Sequence, residues 1–275
     1  MDPINLEYVN EIKEFLNIYI QKEILECVYV RGSLARNELD NRISDLDFII
    51  FFKDKRSMTG FVNRFNSMIN EKFLITMPLD IIYIDIHNPI SYNIIYVLKY
   101  KSKLWLGTDD IDKFVNEKNV NISDFPYTNV RKITGLLDPV IDAEILKATC
   151  NIDLTGIQRS TRHTIGLVKR IIRSIYEYLY LNKELNFISF SCKEICEEIL
   201  KREYIDNKWK NLLKQSSDII EKCKNDFFYT ENNLESVVQY YKEASSLFKE
   251  EKIRNDVEQI LDNNTYIKQI YQLNL

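Results

Sequence analysis

The sequence has few glycines and few histidines, and this scarcity excludes several classes of enzyme. Its six glycines lie at positions 32, 60, 107, 135, 156 and 166. That spacing forms neither the G-x-G-x-x-G fingerprint of dinucleotide-binding folds nor a P-loop. The two histidines, His87 and His163, are far apart and belong to no recognisable nucleophile–base motif. A zinc site built from histidine and cysteine is not expected from such a composition.

Cysteine, positive charge and long apolar runs are scarce as well. The five cysteines are scattered, which argues against a disulfide framework and favours a reducing compartment. A net charge of -4 lacks the basic excess of a duplex-binding protein. The longest apolar run, 48–52, is far too short to cross a membrane, and residues 1–5 show no signal-peptide pattern. We therefore expect a cytoplasmic protein that does not associate with membranes.

The hydrophobic pattern divides the chain into an α/β half and a helical half. Helical periodicity predicts helices over 4–20, 57–73 and 92–100. Runs of β-branched and aromatic residues predict strands over 27–31, 46–52, 79–86 and 103–106. Residues 107–135 are polar and weakly patterned, and helical periodicity dominates from about residue 141 onward. We predict an α/β domain with a mixed sheet over 1–135, followed by an all-α helical bundle over 136–275.

A Gly-Ser pair directly after a predicted strand is the first motif with chemical meaning. It lies in the segment Arg31-Gly32-Ser33-Leu34-Ala35-Arg36. Glycine permits a sharp turn and close approach to a ligand, and a short helix starting there would direct N–H groups at an anion. Gly32 and Ser33 are therefore candidates to bind the phosphates of a nucleoside triphosphate. Alone, however, most Gly-Ser pairs are ordinary turns.

Three aspartates in a constrained order form the second motif. Asp45 and Asp47 are two positions apart at the start of an apolar strand, so their carboxylates should face the same way. Asp80 opens the next apolar strand, one helix later. An isolated Asp-x-Asp is most often a solvated turn, but this combination predicts a hard oxygen site for Mg²⁺. Two such ions would clamp a displacement at phosphorus, activating the attacking hydroxyl and offsetting charge on the leaving pyrophosphate.

These motifs together resemble the signature of polymerase-β-like nucleotidyltransferases. The resemblance covers roughly residues 25–90, through GSLARNELDNRISDLDFII and LDIIYIDI. It implies triphosphate binding at Gly32 and Ser33, metal ligation by Asp45 and Asp47, and ATP as the default substrate. Asp80 would be the third ligand and a candidate general base, with Asp85 as the alternative. Arg36 lies where minimal nucleotidyltransferases often carry a basic residue.

The helical half is similar in layout to aminoglycoside adenylyltransferases of the streptomycin and spectinomycin type. The resemblance rests on HTIGLVKRIIRSIYEYLYLNKEL, FSCKEICEEIL and WKNLLKQSSDII. It implies that Arg173 and Lys193 bind the triphosphate, although the connection between them is longer here. The alternative is that Arg173 and Lys193, with Lys169 and Arg170, form a solvated face.

Three functions follow from these motifs. The first is transfer of AMP from ATP to a hydroxyl of a small molecule such as an aminoglycoside antibiotic, for which Asp138, Asp142, Glu144 and Asp153 would be acceptor-side candidates. The second is modification of tRNA or a protein by a toxin–antitoxin or defence enzyme. Its RNA-facing surface would comprise Arg159, Arg162, Lys169, Arg170 and Arg173. The third is a catalytically silent binding module.

Overall fold

The structure, a computed structural model, describes most of both halves of the chain. It covers residues 3–39, 45–72, 79–108, 120–122, 129–130, 133, 154–226 and 228–263. The chain divides into two compact units, Met1–Asp124 and Phe125–Leu275. The predicted domain boundary between residues 135 and 136 lies outside the described residues and stays a prediction.

The first unit alternates helices and strands, as the periodicity predicts. Its described elements are α1 (Pro3–Gln21), β1 (Leu25–Arg31), α2 (Gly32–Ala35), β2 (Leu46–Phe52), α3 (Lys55–Lys72), β3 (Leu79–Asp85), α4 (Tyr92–Lys101) and β4 (Ser102–Gly107). The predicted strand 46–52 has these same bounds, because its apolar run ends where Lys53 begins a charged turn. The other predicted elements are displaced by a few residues at most.

The four strands form one mixed sheet in the order β3-β2-β1-β4. Strand β1 is antiparallel to both β2 and β4, whereas β2 and β3 are parallel. A parallel pair needs a crossover connection, which α3 provides. Strand β2 lies inside the sheet, which explains why it is apolar on both faces. The predicted α/β fold class with a mixed sheet is confirmed.

Helices cover both faces of this sheet. On one face, Ile12 and Leu16 of α1 and Phe61 and Phe65 of α3 join a core with alternate residues of the strands, such as Phe48. On the other face, α4 contributes Leu98 to a smaller core. The strand residues of that second core are Cys27, Tyr29, Ile49, Phe51 and Ile84. Because side chains alternate along a strand, Arg31 and Asp47 belong to this second face.

The second unit is helical where it is described. It contains α5 (Leu154–Leu181), α6 (Cys192–Leu200), α7 (Asn207–Asn225), α8 (Tyr229–Asn232), α9 (Leu234–Phe248) and α10 (Glu251–Asn263). The predicted all-α class is confirmed, while residues 141–153 lie outside the described part. No helix in the described ranges is both long and apolar enough to cross a bilayer.

Helix α5 is the central element of the second unit. Its Tyr178 ring lies 5.5 Å from Trp209 of α7, which lies 5.3 Å from Phe248 of α9, measured between centroids. Its buried Thr164 accepts a hydrogen bond of 3.0 Å from Thr230 of α8. Aromatic packing and satisfied buried hydroxyls thus connect α5 to α7, α8 and α9.

Side-chain hydrogen bonds fix the start of α6. The Ser191 hydroxyl accepts a hydrogen bond from the Glu194 backbone N–H at 3.4 Å. The Glu194 carboxylate in turn accepts one from the Ser189 hydroxyl at 2.6 Å. Serine followed three residues later by glutamate is a sequence signature of a helix start, and it places Lys193 in the first turn of α6.

Candidate active site

A polar row crosses three neighbouring strands at one edge of the sheet. Asp47 on β2 lies opposite Asp80 on the parallel strand β3. Asp47 also lies opposite Arg31 on the antiparallel strand β1. Residues opposite each other on paired strands point to the same face, so these three side chains share one side of the sheet. Two of the three predicted aspartates are thereby brought together.

A single nitrogen of Arg31 joins the two carboxylates. Its Nη2 lies 3.2 Å from Asp47 Oδ1 and donates a short hydrogen bond to Asp80 Oδ2. The side chains of Arg31 and Asp47 are 23% and 18% exposed, and that of Asp80 is 59% exposed. Two adjacent carboxylates repel each other, and a shared cation offsets that repulsion most strongly where water is partly excluded. The row therefore defines one position at which a positive charge touches both aspartates.

Gly32 supports this arrangement by having no side chain. Its φ is +64°, a left-handed conformation that favours glycine. A Cβ added there would lie 2.0 Å from Asp47 Oδ2. The Asp47 carboxylate thus packs directly on the backbone at the start of α2, and glycine is needed there for both conformation and space.

Asp45 differs from its predicted placement. Strand β2 begins at Leu46, so Asp45 immediately precedes the strand and is exposed. Strand alternation carried backward would still direct its side chain toward the face of Asp47. Its role as a metal ligand stays a prediction.

The two candidates for the third acidic position lie at opposite ends of β3. Asp80 is in register with Asp47, whereas Asp85 is in register with Phe52 at the far end of the strand pair. The Asp85 carboxylate accepts a hydrogen bond of 2.9 Å from the His87 backbone N–H. An odd sequence spacing also puts Asp80 and Asp85 on opposite faces. The structure brings Asp80, and not Asp85, beside Asp47.

The Asp47–Asp80 pair fits a magnesium ion in donor chemistry. Within the described part of the chain, no group of three or more histidine, cysteine or acidic side chains is arranged to hold a metal. Magnesium, however, is commonly bound through one or two carboxylates, with water and substrate phosphates completing its octahedron. Two carboxylates that already converge on one cationic nitrogen supply that minimum.

The remaining predicted residues of the first unit lie close to this row in sequence. Ser33 is half-buried in the four-residue helix α2. Arg36 ends that helix and pairs with Glu38, its Nε lying 2.7 Å from Oε2. The carboxylate that Arg36 contacts is thus a neighbour in sequence, and phosphate binding by Ser33 and Arg36 stays a prediction.

Arg173 and Lys193 belong to the second unit. Arg173 is half-buried on α5, and Lys193 is exposed in the first turn of α6. The Cys192 thiol lies 3.9 Å from the Lys169 carbonyl oxygen, one helical turn before Arg173. The start of α6 therefore packs on the stretch of α5 that carries Arg173, although their contact with a triphosphate stays a prediction.

Several other predicted residues can be placed only in part. The acceptor-side candidates Asp138, Asp142, Glu144 and Asp153 lie outside the described residues. Among the proposed RNA-facing residues, Arg162, Lys169 and Arg170 are half-buried, like Arg173. The predicted solvated face on α5 is thus only partly exposed.

Arg31 belongs to the site but was not predicted from the sequence. The signal was present, because a strand with a continuous apolar run over 27–30 ends in a charged residue directly before the Gly-Ser pair. Its meaning depends on β1 lying beside β2 with Arg31 opposite Asp47, and the periodicity of one strand carries no information about its neighbour or register.

Comparison with known proteins yields a structural likeness and no sequence family. No protein-family model matches the sequence, and no curated protein matches it significantly. The chain is similar in structure to spectinomycin adenyltransferase AAD(9) from Enterococcus faecialis, solved with ATP and spectinomycin. The likeness covers 88% of this chain and 99% of that one, at 14% identity and a TM-score of 0.49. The assignment of fold and site therefore rests on the elements and contacts of this chain, which is similar in structure to a spectinomycin adenyltransferase.

Proposed function

We propose that this protein is a magnesium-dependent nucleotidyltransferase. It would transfer a nucleoside monophosphate, by default AMP from ATP, to a hydroxyl of a small-molecule acceptor and release pyrophosphate. The observation that carries the proposal is the convergence of Asp47 and Asp80 on one cationic position beside Gly32. Such an edge, with a Gly-Ser turn and an Asp-x-Asp motif, suits a substrate that brings both phosphate and metal.

The aspartates would hold the metal. Asp47 and Asp80 would supply carboxylate oxygens, and Asp45 would supply a third carboxylate. Bound there, up to two Mg²⁺ ions would polarise the phosphoryl oxygens and offset the charge that develops on pyrophosphate. Gly32 and Ser33 would let the backbone approach the triphosphate, with Arg36, Arg173 and Lys193 as further contacts in the proposal.

Asp80 is also suited to accept a proton. In the proposed reaction an acceptor oxygen bonds to the α-phosphorus, the bond to pyrophosphate breaks, and the hydroxyl proton leaves the acceptor. The Asp80 side chain is 59% exposed, against 18% for Asp47, so an acceptor can reach it more readily. A general base must come within hydrogen-bond reach of the proton that it removes.

A small hydroxylated cation is the acceptor class that we propose. The net charge of -4 disfavours extensive phosphate-backbone contact and suits a polycationic acceptor such as an aminoglycoside. The half-buried basic residues of α5 give no specific support to an RNA surface. Spectinomycin, which accompanies ATP in the similar solved structure, is a suitable first acceptor to test.

The test is transfer of label from each α-labelled nucleoside triphosphate, with Mg²⁺, by the purified full chain. Acceptors would be spectinomycin, streptomycin and a cell extract separated into small-molecule, RNA and protein fractions. We expect label from ATP to enter a small molecule, and a chain carrying Asp47→Asn to transfer none. Label in the RNA or protein fraction would instead support the toxin or defence alternative. Transfer from none of the four nucleotides to any fraction would overturn the proposal in favour of a binding module.

A further inference from the structure

We infer that Arg31 is a built-in competitor of the metal, and that its release from Asp47 and Asp80 couples metal binding to nucleotide binding. This inference rests on the proposed function, since it concerns the same carboxylates. It assigns a positioning role to a residue that the motif itself does not include. It also predicts an unusual property of the nucleotide-free protein, namely weak binding of a divalent cation to an acidic pair.

The geometry places Arg31 in competition with a metal for the same carboxylate oxygens. The Nη2 atom contacts Oδ1 of Asp47 and Oδ2 of Asp80, two of the oxygens with which these residues would hold a cation. A guanidinium stays charged at every pH at which proteins are folded, so deprotonation cannot remove it. A divalent ion entering alone must therefore break two charge-assisted contacts and leave a cation beside itself.

Arg31 has the chemistry to exchange one anion for another. Its Nε–H is buried, and no hydrogen-bond partner for it exists within the part of the chain that the structure describes. Among the described residues, the contacts that hold the guanidinium are those of Nη2 with two carboxylates that are themselves partly exposed. Phosphate oxygens suit the planar fork of arginine at least as well as carboxylates do.

A metal-bound nucleoside triphosphate would supply both a cation for the carboxylates and an anion for Arg31. Its cation would take over Asp47 and Asp80, and its phosphates would receive the displaced guanidinium. Metal alone gives Arg31 no new partner, and nucleotide alone leaves the carboxylates without their cation. Each ligand therefore strengthens binding of the other, and linkage requires the two effects to be equal.

The experiment measures binding of Mn²⁺, a spectroscopically visible substitute for Mg²⁺, to the full chain by electron paramagnetic resonance. Titrations are run with and without an ATP analogue whose α–β bridge cannot be cleaved. Arg31→Met removes the charge and keeps an apolar stem, while Arg31→Lys keeps the charge without the fork. Arg64→Met removes the same charge from the exposed side of α3 and is the matched control.

We expect Arg31→Met to bind Mn²⁺ alone about tenfold more tightly than the wild type or Arg64→Met, which is within the usual range of coupling between sites. The ATP analogue raises the Mn²⁺ affinity of the wild type, and in Arg31→Met this increase should be smaller by the same factor. The increase that remains is due to direct ligation of Mn²⁺ by the phosphates. The affinity of Arg31→Lys for Mn²⁺ alone should lie between those of the wild type and Arg31→Met. If Arg31 only held the two carboxylates in position, Arg31→Met would have the opposite effect on Mn²⁺ affinity. Without the arginine the carboxylates would be less well ordered, and Mn²⁺ would bind more weakly.

Unchanged or weaker Mn²⁺ binding by folded Arg31→Met overturns the inference, even if the wild type transfers nucleotide. Tighter binding without any nucleotidyl transfer supports the inference while the proposed function fails. Absence of Mn²⁺ binding by the wild type, even with the analogue, overturns both. Circular dichroism and thermal unfolding of each variant establish that the compared proteins are folded.

Discussion

Asp47 and Asp80 lie directly opposite each other in the parallel pair of β2 and β3. This relationship depends on the α3 crossover, which returns the chain to the same edge of the sheet so that both strands start there. One further contact, from Arg31 on β1, completes a row whose ends are 49 positions apart in sequence. The two carboxylates therefore lie side by side only if the α3 crossover forms.

Removal of either carboxylate charge in this row should abolish transfer. Asp47→Asn and Asp80→Asn keep the side-chain shape but remove a charged oxygen ligand, so we expect transfer to fall by at least about 100-fold. Initial rates of transfer from labelled ATP to the accepted substrate measure this effect.

Asp85→Asn is the matched control for that comparison. Asp85 lies on the same strand but in register with Phe52, and an asparagine oxygen can still accept from the His87 N–H. We expect its rate to stay within about threefold of the wild type, as for most surface changes outside a site. If Asp85→Asn were inactive and Asp80→Asn active, the assignment of the third acidic position would be reversed.

A methyl group at Gly32 should damage stability and activity together. An added Cβ would lie 2.0 Å from Asp47 Oδ2 in a backbone with φ of +64°. We expect Gly32→Ala to lower the free energy of unfolding by about 1–3 kcal/mol and to abolish transfer. Urea denaturation and rate measurements test both effects.

Gly60→Ala is the contrasting variant. Gly60 is exposed within α3, and nothing lies within 4 Å of its added Cβ. Alanine has the higher helix propensity, so this variant should raise the free energy of unfolding by up to about 1 kcal/mol. A stable, fully active Gly32→Ala protein would contradict the close packing of Asp47 on the backbone.

Glu177 anchors the chain near the start of the second unit. Glu177 is 7% exposed, and its carboxylate accepts hydrogen bonds from the Asn129 backbone N–H at 3.0 Å and the Val130 N–H at 2.8 Å. A third, of 2.6 Å, comes from the Asn129 side-chain amide. Glu177→Gln replaces one acceptor oxygen by a donor, so we expect a loss of about 2 kcal/mol in the free energy of unfolding.

Chemical denaturation of Glu177→Gln should be compared with Glu197→Gln, which makes the same change at an exposed position of α6. The control should differ from the wild type by less than about 0.5 kcal/mol. Equal stabilities of the two variants would show that the buried hydrogen bonds of Glu177 contribute nothing net.

Alkaline pH should destabilise the second unit through two buried thiols. Burial raises the pKa of both Cys196 and Cys223 from 9.0 to about 11. The unfolded thiols then lose protons from pH 9 upward while the folded ones keep theirs. Their stabilising effect is complete below pH 9 and is lost as the pH rises through 11, by roughly 1–3 kcal/mol for each thiol.

Thermal unfolding at pH 8, 9, 10 and 11 tests this prediction. The double variant Cys196→Ala, Cys223→Ala removes both thiols but keeps every tyrosine, including Tyr8, whose pKa burial raises to about 12. We expect the unfolding temperature of the double variant to fall less steeply than that of the wild type between pH 9 and 11. Parallel curves would show that the thiols do not contribute.

The sequence predicted the elements of the first unit well because each is specified locally. Strand β2 is apolar except for Asp47 and is followed by charged residues, and helices α1 and α3 carry regular apolar stripes. The Gly-Ser turn and the position of Asp80 at the start of a strand were likewise evident from residue type and order. Periodicity and turn chemistry suffice for such features.

What the sequence could not provide was the relation between strands. The register that sets Arg31 and Asp80 on either side of Asp47 depends on strand order, and a shift of one residue would reverse every side chain. The start of β2 after Asp45 depends similarly on where pairing begins. The choice between Asp80 and Asp85 required that same register, since both lie in one apolar strand.

The position of β3 at the margin of the sheet has a consequence for how the protein would lose function. Among the strands that the structure describes, β3 is hydrogen-bonded to β2 alone, and its residues are less buried than those of β2. A marginal strand is the segment most easily opened by local fluctuation. Catalytic failure on warming would then begin with separation of Asp80 from Asp47, at a temperature where most of the molecule still keeps its native packing. Amide hydrogen exchange would show this as early labelling of β3, and substrate binding across the row would slow it.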